Sequence, residues 1–125
     1  MSLQTELGKI RGLGSAKSGT EHWWAQRVTA VGLVPLVLWF VISMISIVGA
    51  DRAGLIEWMS NPLNAVLLLV LLGSGIYHMQ LGMQVVIEDY IHGALKVAAL
   101  IAVTWGSLIL ALATMFSVVK LALGG

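Results

Sequence analysis

The chain has 125 residues, 58% of them hydrophobic and 10% charged, with a formal net charge of +1. Soluble domains carry about 25% charged residues, so this one has too little polar surface to cover a globule in water and reads as a membrane protein. Its Lys and Arg are spread out, which argues against a nucleic-acid surface, and the lack of Cys excludes disulfides, iron–sulfur ligation and thiol catalysis within the chain.

Residues 1–20 hold Gly12, Gly14, Ser15, Ser18 and Gly19 around Lys9, Arg11 and Lys17, the composition of a flexible or partner-bound tail. This start does not resemble a secretory signal, and Glu6 and Glu21 interrupt what would otherwise be an import peptide. A bacterial inner membrane is the simpler location, with a mitochondrial inner membrane as the alternative. Trp23 and Trp24 beside Arg27 have the composition of a membrane–water interface. A first span is expected over 28–48, long enough to cross about 30 Å of hydrocarbon. Pro35 lies inside it and is tolerable there if neighbouring helices satisfy the freed carbonyl.

A short polar connection is expected from Asp51 to Trp58, and Asn61-Pro62 has the form of a helix start. The second span is expected over 62–86, a turn at Glu88 to Gly93, and a third span over 94–121 with Lys96 close enough to its start to snorkel. The fold class is therefore all-α: a flexible tail over 1–20, then one anchor domain of three transmembrane helices over 21–125. Lys9, Arg11, Lys17, Arg27 and Lys96 would share one side, against Arg52 and Lys120 on the other. The positive-inside rule then puts the N-terminus and the Glu88–His92 turn in the cytoplasm and the C-terminus across the membrane.

The distinctive stretch runs from His78 to Tyr90. At 100° per residue, His78, Gly82, Val85 and Asp89 fall on one stripe if the helix continues that far, with Gly75 on the same side. A histidine about 14 Å inside the span, with glycines one turn above and below, leaves a bare surface suited to a large planar ligand bonded to the imidazole. The competing reading is a neutral packing histidine hydrogen-bonded to a neighbouring helix. Zinc is disfavoured, since no second ligand stands three or four residues away. His22 and His92 lie near the boundary, at a different depth, so a second imidazole on the same iron would come from another chain. Arg27 reads either as an interfacial anchor or as the partner of heme propionates. Asp89 and Tyr90 read as turn and belt residues, or as a carboxylate and phenol that hydrogen-bond a quinone and relay its proton. Gly73, Gly75, Gly82 and Gly106 equally suit close helix approach.

At these residues the chain resembles the hydrophobic membrane anchor subunit (D chain) of succinate dehydrogenase, complex II, in its alphaproteobacterial form. The family motif His-x3-Gly-x6-Asp-Tyr corresponds to His78, Gly82, Asp89 and Tyr90, and Arg-x-Thr-Ala to Arg27, Thr29 and Ala30 after Glu21, His22, Trp23 and Trp24. The resemblance covers about residues 19–121. It implies that His78 is one axial ligand of heme b, the other coming from the partner cytochrome b subunit. It implies that Arg27 lies near the heme propionates, that Tyr90 hydrogen-bonds ubiquinone and that Asp89 helps form that site. The two anchor chains would hold a flavoprotein with covalent FAD and an iron–sulfur protein, joining the tricarboxylic acid cycle to electron transport. The succinate chemistry would belong to those partners, not to this chain. The anchor of a fumarate reductase, or a non-redox accessory or assembly protein of the membrane, are the alternatives.

Overall fold

The structure is a computed structural model that describes residues 6–7 and 18–125. Four helices follow one another among the described residues: α1 (Ser18–Ser46), α2 (Arg52–Ser60), α3 (Pro62–Tyr90) and α4 (Gly93–Ala122). Three of them contain stretches long and apolar enough to cross a membrane, Thr20–Ser46, Pro62–Tyr90 and Gly93–Ala122. Of the expected tail, residues 1–5 and 8–17 lie outside the described residues, while Ser18 to Thr20 already belong to α1.

The spans expected from apolar length are present, but their ends differ, most at the start of α1 and the end of α3. α1 begins ten residues before the expected start and ends two residues early. The interfacial segment with Trp23, Trp24 and Arg27 is thus helical and continuous with the span. Apolar composition marks where hydrocarbon begins, whereas the helix goes on wherever its backbone hydrogen bonds can. α3 likewise continues through Asp89 and Tyr90, so only Ile91 and His92 separate it from α4. The Ile91 amide bonds to the Ile87 carbonyl, and Gly93 opens α4 at φ 69°, a left-handed conformation that glycine adopts without Cβ strain.

The connection expected at Asp51 to Trp58 is instead a helix. Asp51 caps α2 by accepting from the Gly54 amide at 2.9 Å. Leu55, Trp58 and Met59, spaced three and four residues apart, turn inward, while Arg52, Ala53, Glu57 and Ser60 stay exposed. Asn61 ends α2 and caps α3 by accepting from the Leu63 amide at 3.0 Å, with Pro62 in the first turn as expected. The Asn64 amide donates to the Trp58 carbonyl at 3.0 Å, which stitches the corner.

α3 is the central helix. It packs against α1 on one side and α4 on the other, whereas α1 and α4 make no backbone approach to each other. The tightest packing gathers at the α2 end, where Met59, Leu68 and Val118 are buried among Trp39, Phe40, Leu55, Trp58 and Leu72. Trp39 stacks on Trp58 with ring centroids 5.9 Å apart. Gly73 lets α4 approach α3, since a Cβ there would meet Met115 Cε at 2.8 Å. Elsewhere Leu81 and Ile87 are buried, but many large apolar side chains face outward, with Val31 74%, Ile45 68% and Phe116 69% exposed. In water such a surface would drive aggregation, so lipid and partner helices are its fitting surroundings.

Candidate functional site on the α1–α3 seam

His78 lies on α3 twelve residues before Tyr90, which is about 18 Å of helical rise from the end of the helix. Because α3 is unbroken to Tyr90, the stripe of His78, Gly82, Val85 and Asp89 exists as one helical face. Across the seam, α1 brings Thr29 to the imidazole, with Thr29 Oγ1 2.8 Å from His78 Nδ1. The same hydroxyl lies 2.7 Å from the Ala25 carbonyl and 3.1 Å from that of Gln26, one turn back on its own helix. His78 Nε2 makes no hydrogen bond among the described residues, nor is it one of the buried polar atoms without a partner.

The imidazole forms part of the wall of two open apolar grooves. One, of about 440 Å³, runs along Ala30, Leu33, Val34, Val37 and Leu38 of α1. The other, of about 360 Å³, is lined by Gln26 of α1 with Met79, Gly82, Met83, Val86 and Ile87 of α3. The glycines singled out by spacing both face α1. A Cβ on Gly82 would stand 3.8 Å from Gln26 Nε2, and one on Gly75 would stand 3.9 Å from Leu33 Cδ2. Gly82 thus widens the second groove beside His78, while Gly75 sits where the helices meet.

Arg27 is exposed, with its guanidinium 5.1 Å from the centroid of the Trp23 ring. It precedes Ala30, Val34 and Leu38 by three, seven and eleven residues, so helical periodicity puts it on the groove wall's own stripe, at its N-terminal end. Asp89 and Tyr90 occupy the last turn of α3, both exposed, and neither side chain makes a hydrogen bond or ion pair among the described residues. Glu88 beside them accepts from Gln84 Nε2 at 3.1 Å. The chain therefore carries two separate groups, the His78 seam midway along α3 and the Asp89-Tyr90 pair at its end.

Sequence reasoning passed over Gln26 as a groove-lining residue and cited Thr29 only as part of a motif. Their signal was present in the run Gln26, Thr29, Ala30, Leu33, Val37 at helical spacing, but nothing in α1 alone says that this stripe faces His78. His22, one turn before Gln26, has its Nε2 buried without a hydrogen-bond partner among the described residues, as is Gln26 Oε1. No group of three or more His, Cys, Asp or Glu side chains comes together among the described residues.

A family model described as "Succinate dehydrogenase/Fumarate reductase transmembrane subunit" matches residues 1–122. A succinate dehydrogenase hydrophobic membrane anchor subunit from Rickettsia bellii is 42% identical over 88 residues, which is 70% of each chain. Its counterpart in Rickettsia conorii is 39% identical over 89 residues, covering 70% of this chain and 71% of that one. The Paracoccus denitrificans subunit of the same name is 32% identical over 114 residues, 90% of this chain and 88% of its own. No solved structure gives a significant match. With almost its whole length matched, the chain belongs to the succinate dehydrogenase/fumarate reductase transmembrane subunits, among the hydrophobic membrane anchors of succinate dehydrogenase.

Proposed function

We propose that this anchor supplies half of a heme b site and part of the ubiquinone-reducing site of a succinate:ubiquinone oxidoreductase. The observation that carries the reading is His78, whose Nε2 makes no hydrogen bond among the described residues and whose ring walls two apolar grooves. An iron porphyrin fits such a surface. It is large, flat and apolar in its body, and the grooves on either side of the imidazole are bordered by small and aliphatic side chains.

His78 would hold the iron, and since no group of metal-ligating side chains gathers among the described residues, a second imidazole would come from the partner cytochrome b subunit. Arg27, on the stripe that walls the groove, would pair with the propionates. When bound, the heme supplies one-electron redox chemistry at a potential set by its two ligands and their surroundings. Tyr90 would donate its phenol hydrogen to a ubiquinone carbonyl, with Asp89 beside it as the carboxylate that takes part in proton delivery. Both side chains are exposed at the end of α3 and have no hydrogen-bond or ion-pair partner among the described residues, as a site completed by other subunits requires. The iron–sulfur and flavoprotein subunits, with the FAD that oxidises succinate, would dock at that end. The matched relatives are named for succinate dehydrogenase, which favours succinate oxidation over the fumarate reductase direction.

By charge distribution, the N-terminus and the α3–α4 turn would face the cytoplasm of a bacterium, in its inner membrane. The test is purification through this chain. Three further subunits should co-purify, with one b-type heme per copy of the chain by pyridine hemochrome assay. An intact, succinate-oxidising complex without heme would contradict the heme half of the proposal.

A further inference from the structure

We propose that Thr29 is a positioning residue that holds His78 as the Nδ1–H tautomer, keeping the Nε2 lone pair available to a metal. The inference rests on the reading of His78 as an iron ligand and adds to it the group that prepares the imidazole. A neutral imidazole carries one ring proton, and which nitrogen holds it is set by the hydrogen bond the ring makes. Here the contact is with a hydroxyl, which either donates or accepts, so the hydroxyl's own proton decides the matter.

Thr29 Oγ1 lies 2.7 Å from the Ala25 carbonyl oxygen, the usual separation for an O–H···O bond. A carbonyl has no proton to offer, and two oxygens at that distance with no hydrogen between them would repel. The hydroxyl proton therefore points to Ala25, a back-bond common for threonine within helices. The Gln26 carbonyl at 3.1 Å lies on the same side and competes for the same proton. What Thr29 presents across the seam is a lone pair, so at 2.8 Å the hydrogen of that contact belongs to His78 Nδ1. Nε2 is then unprotonated and free to ligate. The opposite polarity, with Thr29 donating to Nδ1, would leave an Nε2–H facing the grooves and no lone pair for a metal.

The arrangement has an electronic consequence. A metal-bound imidazole whose other N–H is hydrogen-bonded to an acceptor is a stronger donor and is fixed in ring orientation. A stronger donor favours the oxidised iron, so removing the acceptor moves the reduction potential upward. The bond also joins α1 to α3 at the level of the site, since Thr29 and His78 are 49 residues apart in sequence.

The experiment compares the whole purified complex as wild type, Thr29→Val and Thr29→Ser, by redox titration of the heme α-band and by electron paramagnetic resonance of the ferric state. Valine keeps the shape and β-branching of threonine and removes the hydroxyl, both the acceptor for His78 and the back-bond to Ala25; serine keeps both. The expected result is a positive shift of the midpoint and an altered low-spin signal in Thr29→Val, with Thr29→Ser close to wild type. Heme loss in Thr29→Val with retention in Thr29→Ser supports the proposal equally. An unchanged or more negative midpoint in a fully loaded Thr29→Val complex overturns it, as does heme loss in both variants. His78→Ala separates the two ideas. If that variant loses the heme signal while Thr29→Val is indistinguishable from wild type, only the role of Thr29 fails. A wild-type complex without heme overturns the ligation reading, and this inference with it.

Discussion

Tyr90 and Gly82 make separable demands on the site. Tyr90 is 79% exposed at the end of α3, so removing its hydroxyl should leave the fold untouched. Tyr90→Phe is expected to lower succinate:ubiquinone activity by an order of magnitude or more while sparing succinate oxidation by an artificial acceptor. Equal loss of both activities would assign the residue to assembly. Gly82 is a matter of volume. A Cβ there makes only an ordinary contact with Gln26, so Gly82→Ala should keep its heme. Gly82→Leu should lose most of it, because four carbons would enter the groove beside the imidazole. Full heme content in the leucine variant would mean that the groove is not where the porphyrin lies.

Among the elements, α3 was the most legible and α2 the least. Asn61-Pro62 announced the start of α3 because Asn caps and Pro fits the first turn for local reasons, and the side chain does accept from Leu63. The stripe from His78 to Asp89 followed from helical period alone. α2 was missed because nine residues give little intrinsic helix stability; its Leu55, Trp58 and Met59 face inward only where α3 and α4 are there to receive them. The Thr29–His78 contact was equally out of reach, since it depends on how α1 is rotated against α3. Asn61 serves both helices at the corner, as the end of α2 and the cap of α3. Asn61→Ala should cost about 1 kcal/mol, measured as a lower midpoint for thermal loss of the heme band in detergent. No change would mean that the cap is replaced by water.

Across the whole molecule, the packed cluster and the Asp89-Tyr90 pair occupy opposite ends of α3, with the His78 seam between them. Met59, Leu68 and Val118 are buried beside α2, and the Asp89-Tyr90 pair lies some 33 Å of helical rise beyond Leu68. That leaves the seam and the far end of α3 with surface for other subunits, in keeping with an anchor completed by its partners. Three crossings would carry the chain from one side of the membrane to the other. The absence of Cys makes this testable with single-cysteine variants. His92→Cys in the α3–α4 turn should react with an impermeant maleimide in inside-out vesicles, and Leu123→Cys, 84% exposed near the C-terminus, in right-side-out cells. Labelling of both from the same side would overturn the three-span topology. Binding of heme iron by His78 is tested by a dithionite-reduced minus oxidised spectrum of the purified complex beside its His78→Ala variant. A low-spin b-type spectrum in the wild type that is lost or altered in the variant is the predicted result; an identical spectrum in both, or none in an intact wild-type complex, would contradict it.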